Sequence, residues 1–203
     1  ETPILNMLNY QMAIASKTSR VTRAAGETPV SAFGTRRAHG FDSAVYGNKA
    51  SIIAGCYNHS NLMTELKFGL PSIGTMSHSY IQSFGIGVEA EYRAFDTFIK
   101  GRKEENGSLV LLVDTYSVKS GVKNAIKAFK ENGVDDNYKG IHGIRIDSGD
   151  LAYLSKFAKK EFLNEGFLKA TITLTNGLDE DLILSLKEQG AKVDFFGVGD
   201  AVA

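Results

Sequence analysis

Six consecutive residues, Arg145-Ile146-Asp147-Ser148-Gly149-Asp150, bring three charges and a hydroxyl to one point of the chain. In an extended strand Arg145 and Asp147 lie two residues apart and share a face, so both project into the same cavity. An arginine there grips a carboxylate or phosphate with paired N–H groups. The neighbouring aspartate holds that arginine, hydrogen-bonds a sugar hydroxyl or coordinates Mg²⁺. The rival assignment has Asp147 or Ser148 capping a helix that begins near Asp150. A cap leaves Arg145 unexplained.

Four other segments carry chemistry. Thr175-Asn176-Gly177 and Gly197-Val198-Gly199 are glycine turns whose backbone N–H groups can approach a phosphate closely; ordinary turn formation is the competing account. Phe33-Gly34-Thr35-Arg36-Arg37 sets an aromatic ring beside two guanidiniums, a pairing that stacks a flat ring and binds an anion, or is a surface arginine pair. In Gly74-Thr75-Met76-Ser77-His78-Ser79 a histidine stands among hydroxyls. His78 is the best placed of the histidines for chemistry; His39, His59 and His142 have plainer contexts. There is no Gly-x-Ser-x-Gly elbow, and Cys56 sits in no pattern of its own, so a serine or cysteine hydrolase has little support.

These residues need a scaffold that presents them, and the second half of the sequence describes one. Leu109–Val113 is a continuous apolar run, the mark of a strand buried on both faces. It ends at Asp114-Thr115-Tyr116. A helix with Val118, Val122, Ala125, Ile126 and Phe129 on one stripe follows. Ile141–Ile146 is the next strand and leads into Asp147. A helix with Leu151, Leu154, Ala158 and Phe162 comes next, then the strand Ala170–Leu174. A helix with Leu182, Ile183 and Leu186 leads to a last strand, Val193–Phe196. Strands alternating with helices make a parallel sheet with every strand's C-terminal end on one face, the face that carries active sites in α/β barrels.

The first half is less regular. Residues 3–25 form an amphipathic helix with Ile4, Leu5, Leu8, Met12 and Ala15 as its apolar stripe. Pro29–Phe33 is a short strand. Ser51–Glu65 is expected to be helical, ending near Gly69; Pro71–Gly74 is a brief strand; residues 77–100 are helical again.

Composition excludes several classes. The 203 residues are 43% hydrophobic and carry 23 basic against 23 acidic side chains, so a nucleic-acid binder is disfavoured. One cysteine makes neither an internal disulfide nor a cysteine-based zinc site. No apolar run reaches the roughly 18 residues of a membrane span. The N-terminus has no basic segment followed by an apolar one, so no signal peptide is visible, and the expected location is cytoplasmic. The chain lacks an initiator Met, opens on a helix and stops soon after a strand. It is therefore expected to be a single α/β-barrel-like domain over residues 1–203, truncated at both ends.

Taken in order, Phe33-Gly34-Thr35-Arg36-Arg37-Ala38, His59-Ser60-Asn61, Gly74-Thr75-Met76-Ser77-His78-Ser79, Val113-Asp114-Thr115-Tyr116, Arg145-Ile146-Asp147-Ser148-Gly149-Asp150-Leu151 and Phe196-Gly197-Val198-Gly199 resemble the nicotinate phosphoribosyltransferase family. The resemblance covers nearly the whole chain but only the central part of such an enzyme, without its N-terminal domain. It implies an incomplete, TIM-like α/β barrel of the type II phosphoribosyltransferases, in a homodimer whose partner completes each site. The implied activity is ATP-assisted transfer of phosphoribose from phosphoribosyl pyrophosphate to nicotinate, with Mg²⁺ as cofactor and nicotinate mononucleotide and pyrophosphate as products. By the same resemblance Phe33 stacks on the pyridine ring, and Arg36 and Arg145 handle anionic groups, Arg145 the carboxylate. Asp147 contacts the ribose hydroxyls. Asn176, Gly177, Gly197 and Gly199 cradle phosphate, Ser79 joins the substrate residues, and His78 is the histidine phosphorylated from ATP.

Ser60 separates near relatives, because the nicotinamide-using branch typically has an aspartate near this position, which would repel a carboxylate. Three positions depart from the family pattern: Ala32 where an acidic residue is usual, His59 for a threonine, and Asp200 where threonine is common. Asp200 beside a phosphate needs a compensating cation. The competing functions are a nicotinamide or other pyridine phosphoribosyltransferase, an aldolase or isomerase on a phosphate-binding barrel, and an inactive fragment or non-enzymatic binding module. The aldolase reading wants a strand-end lysine, which the sequence does not offer.

Overall fold

The computed structural model describes residues 1–203. In chain order the elements are α1 (Thr2–Ala25), β1 (Val30–Ala32), α2 (Phe41–Ile53), β2 (Asn58–His59), α3 (Leu62–Phe68), α4 (His78–Gln82), α5 (Val88–Arg102), β3 (Leu109–Leu112), α6 (Val118–Glu131), β4 (His142–Ile146), α7 (Leu151–Asn164), β5 (Thr171–Leu174), α8 (Glu180–Glu188) and β6 (Phe195–Val198). They group into two units. One comprises Glu1–Gly74, Thr175–Gln189 and Phe195–Ala203; the other comprises Thr75–Leu174 and Gly190–Asp194. The α/β class with parallel strands, expected from the sequence, holds in each. No helix is long and apolar enough to cross a membrane.

In the first unit β1 is the middle strand, parallel to β2 through Ser31↔Asn58 and Ala32↔His59 and to β6 through Val30↔Phe196 and Ala32↔Val198. Helix α1 packs on α2 and α8. Its contact face is small: Ile14, Thr18, Val21, Ala24 and Ala25 are buried, and the Thr18 and Ser51 hydroxyls meet at 3.3 Å. Glu180 at the start of α8 takes Lys17 at 2.5 Å and Arg20 at 3.0 Å. The apolar stripe read from the sequence is not the buried one. Ile4, Leu5, Leu8 and Met12 are 52–65% exposed, and the buried residues of α1 begin at Ile14. The expected helix over 51–65 is also corrected: α2 stops at Ile53, Gly55 adopts φ 105°, β2 intervenes, and α3 starts at the Asn61 cap. The strand at 71–74 reduces to a single bridge between His59 and Ser72. Cys56 is buried, which pushes its thiol up to about 12.

In the second unit β4 lies between β3 and β5, all parallel. Leu109, Leu111, Leu112 and Val113 of the apolar run are shut off from solvent, as two-sided burial requires. The helix expected over 77–100 is two, α4 and α5, parted at Gly85 (φ 117°) and Gly87 (φ 94°), which carry the chain through a turn no other residue adopts easily. Helix α6 lies hard against the end of β3. A Cβ on Gly121 would fall 2.1 Å from the Val113 carbonyl oxygen, so only glycine permits this approach.

Candidate active site

Adjacent parallel strands deliver their following residues together. Leu112 pairs with Arg145, and Val113 donates to the Arg145 carbonyl. Asp114-Thr115 and Asp147-Ser148 therefore emerge side by side in the second unit. The Asp114 side chain is only 1% exposed. Its Oδ2 accepts from the Asp147 backbone N–H at 3.3 Å and from the Ser148 hydroxyl at 2.5 Å, whereas its buried Oδ1 accepts no hydrogen bond.

Arg145 is held on two sides. Nη1 donates to Thr75 Oγ1 at 2.6 Å and Nη2 to Asp147 Oδ2 at 3.0 Å. Its Nε is buried with no protein acceptor. A guanidinium with a donor left over, in a site of low exposure, is suited to an anionic oxygen. Of the roles weighed for Asp147, the structure displays the holding of arginine. The capping alternative falls to Asp150, whose carboxylate accepts from the Tyr153 N–H that opens α7.

His78 is the first residue of α4, turned by the Ser77 cap. Its Nδ1 lies 3.0 Å from Thr115 Oγ1, and its Nε2 lies 3.7 Å from Asp147 Oδ2 and 3.9 Å from Asp114 Oδ1. The side chain is 41% exposed, open to a reagent from solution. Ser79 is exposed, with its hydroxyl 2.7 Å from that of Ser77. Arg145, Asp147 and His78 thus form one cluster. Thr75, Asp114 and Thr115 complete it, three residues that the sequence alone does not single out within the motifs that contain them. Their signal was position, directly beyond an apolar strand or beside the histidine.

Glu91 of α5 is wholly buried. Its Oε2 accepts from Asn124 Nδ2 at 2.9 Å, and its Oε1 has no partner. Burial pushes this carboxyl up to about 7; the Asn124 hydrogen bond opposes that, and the Asp114 charge adds to it.

In the first unit, β1 and β6 set Phe33 against Gly197. The Phe33 N–H donates to the Val198 carbonyl at 2.7 Å, and a Cβ on Gly197 would stand 2.7 Å from two ring carbons of Phe33 and 2.5 Å from Thr175 Cγ2. Gly197 is thus explained by the ring laid over it. Gly199 borders the Phe33 backbone more loosely, at 3.7 Å. Asn176 (φ 94°) and Gly177 (φ 57°) form an exposed left-handed turn ahead of α8. Arg36 is exposed, and Arg37 meets Asp200 at 2.9 Å, which supplies the cation that Asp200 called for. Ser60 Oγ stands 3.5 Å from Thr35 Oγ1, itself hydrogen-bonded by Asn48 at 3.2 Å. Thr35, Ser60, Asn61 and Phe41 help to line a cavity of about 400 Å³. His59 and His142 are buried, and burial holds both imidazoles below their ordinary range, which suits structural groups.

As for Mg²⁺, no group of three or more His, Cys, Asp or Glu side chains is arranged to hold a metal ion. Asp114 Oδ2 and Asp147 Oδ2 already serve protein donors. A dedicated all-protein Mg²⁺ cage does not fit these residues, so an ion would be held mainly by substrate phosphates.

No family model matches the chain. Among solved structures, the crystal structure of nicotinate-nucleotide pyrophosphorylase from Pyrococcus furiosus superposes with a TM-score of 0.80 at 27% identity, over 96% of this chain and 47% of that one. Human nicotinic acid phosphoribosyltransferase shares the fold with a TM-score of 0.75 at 23% identity, over 98% and 49%. The chain therefore has the α/β fold of the type II phosphoribosyltransferases. It is 42% identical over 200 residues to nicotinate phosphoribosyltransferase of Bacillus subtilis, covering 98% of this chain and 39% of that protein. It is 38% identical over 199 residues to a nicotinate phosphoribosyltransferase of Mycobacterium tuberculosis, covering 98% and 41%. The chain belongs to the nicotinate phosphoribosyltransferase family, and it spans about two fifths of the length of these relatives.

Proposed function

We propose that the full-length protein transfers phosphoribose from phosphoribosyl pyrophosphate to nicotinate, with ATP hydrolysis assisting and nicotinate mononucleotide and pyrophosphate as products. The observation that carries this reading is the strand-end cluster of Arg145, Asp147, His78 and Asp114, found in a chain whose relatives are named for that reaction. The reaction builds positive character on the sugar and expels a highly charged group. It asks for positioning and fixed charges rather than a protein nucleophile at the sugar.

Arg145 offers its unpaired Nε to the nicotinate carboxylate. Asp147, while holding Arg145, faces the ribose hydroxyls. His78 takes the phosphoryl group of ATP: the bond from the γ-phosphorus to ADP breaks, a ring nitrogen–phosphorus bond forms, and water later returns phosphate. Thr115 fixes the ring that reacts. In the first unit, Phe33, Arg36, Ser60, Asn176, Gly177, Gly197 and Gly199 keep the ring-stacking, anion and phosphate roles that the resemblance assigns. Mg²⁺ enters with the phosphates and offsets their charge. A homodimer belongs to the same reading, and sedimentation of the full-length protein tests it.

The experiment is to incubate the full-length protein with nicotinate, phosphoribosyl pyrophosphate, ATP and Mg²⁺ and to separate the nucleotides formed. Nicotinate mononucleotide is expected, with acid-labile label from γ-labelled ATP on the wild type and not on His78→Asn. Product from nicotinamide alone would establish the nicotinamide branch instead. Absence of product with either pyridine would support the non-enzymatic reading.

A further inference from the structure

Glu91 has no part in the chemistry above, yet it is an acidic side chain with no exposed surface, one of whose oxygens meets no donor. Its placement follows from helix packing. Gly121 lets α6 close on the backbone at Val113, the residue before Asp114. Asn124, one turn further along the same face of α6, donates one amide hydrogen to Glu91 Oε2 at 2.9 Å and the other to the Val88 carbonyl at 2.8 Å. That pair of bonds ties the start of α5, with Glu91, to α6, the helix that closes on Val113 at the end of β3. Asp114 Oδ1, on the His78 side, likewise meets no donor.

A carboxyl shut away from water beside a neutral amide ionises less readily than one in solvent, and the Asp114 charge opposes its ionisation further. Asp114 Oδ2, unlike either oxygen of Glu91, accepts from two donors, the Asp147 N–H and the Ser148 hydroxyl. The groups acting on Glu91 are the neutral Asn124 of α6 and the Asp114 carboxylate beyond β3. From α4, the Tyr80 hydroxyl reaches α5 at the Ala94 carbonyl and remains protonated, since burial pushes it further up.

We propose that Glu91 is a positioning residue for the strand-end site: held as an uncharged acid, it keeps a second buried negative charge away from the Asp114–His78 pair, and its ionisation makes His78 a poorer acceptor of anionic phosphoryl groups. The proposal rests on the reading of His78 as the phosphorylated residue. The charge, however, acts on any anionic donor, and that allows the two to be tested apart.

The test compares phosphorylation of His78 in the full-length wild type and in Glu91→Gln, from pH 6 to pH 8.5, using ATP and, separately, phosphoramidate. Phosphoramidate is an anionic phosphoryl donor that needs no nucleotide site. Gln keeps the shape and the Asn124 bond but cannot ionise. The ratio of variant rate to wild-type rate should lie near one at pH 6. It should rise about five-fold in favour of the variant by pH 8.5, the size expected for one charge acting across a partly screened protein interior. The change should centre near neutral pH, the range to which burial pushes the Glu91 carboxyl, up to about 7. A ratio that stays constant across pH with phosphoramidate overturns the proposal. A pH-dependent ratio with phosphoramidate, but no label from ATP on the wild type, supports Glu91 and removes the ATP reading of His78. If Glu91→Gln does not fold, the infrared band of an uncharged carboxyl in the wild type decides. Its loss with a midpoint near pH 7 supports the assignment, and a band already absent at pH 6 overturns it.

Discussion

Arg145 and Asp147 form an ion pair within one strand end, Nη2 to Oδ2 at 3.0 Å, while the buried Nε of the same guanidinium is left without an acceptor. The aspartate fixes the plane of the fork and so aims its spare donor. A lysine in this place has the charge but no plane to aim.

Arg145→Lys is therefore expected to lower kcat/KM for nicotinate in the full-length protein by roughly 2 kcal/mol of transition-state stabilisation, the size of a charge-assisted hydrogen bond. Steady-state kinetics with nicotinate varied will read this. Unchanged kinetics would take the carboxylate away from Arg145.

Ser60 stands beside Thr35 in a pocket wall with no cation bonded to it. Ser60→Asp should weaken nicotinate by charge repulsion and shift the ratio of nicotinate to nicotinamide kcat/KM toward nicotinamide. Measuring both substrates on both proteins gives that ratio directly. If it does not move, Ser60 has no say in substrate choice.

Gly197→Ala adds a methyl where Phe33 and Thr175 leave no room. Overpacking of this kind costs about 1–3 kcal/mol, so the thermal midpoint of unfolding should fall. Phe33→Leu, by vacating the ring's place, should return part of the loss in the double variant. Strictly additive effects would mean that the ring is not what confines Gly197.

The fold was legible where burial was two-sided. Leu109–Val113 and Ile141–Ile146 read as strands of a parallel sheet, and the end of the second located Arg145 and Asp147. Helix α1 shows the opposite case. Its periodicity marks a helix, but the larger apolar side chains Ile4, Leu5, Leu8 and Met12 stay exposed, and the buried stripe, Ile14, Thr18, Val21, Ala24 and Ala25, is made mostly of smaller residues. Hydropathy does not reveal a contact made by small residues. Asp114 escaped selection because a lone carboxylate after a strand looks like any helix approach; its value lies in enclosure, which depends on Ser148 far along the chain.

Glu180 supplies the pH prediction. Lys17 and Arg20 hold its carboxyl down to about 2 in the folded state, against about 4.3 for an unfolded glutamate. Its contribution to stability is thus complete above pH 4.3 or so and fades as pH falls toward 2. Denaturant titrations at pH 6 and pH 2.5 should show a stability gap between wild type and Glu180→Gln that narrows on acidification. A gap of equal size at both values would exclude the ion pair as its source.

Cys56, shut in beside β2 with its thiol pushed up to about 12, has almost no thiolate at neutral pH, and the thiolate is the form that reacts. Alkylation must wait for the first unit to open, so the rate at which a maleimide modifies the chain's one cysteine counts those openings. The sequence thus carries its own stopwatch for local unfolding, readable by mass spectrometry with no residue replaced.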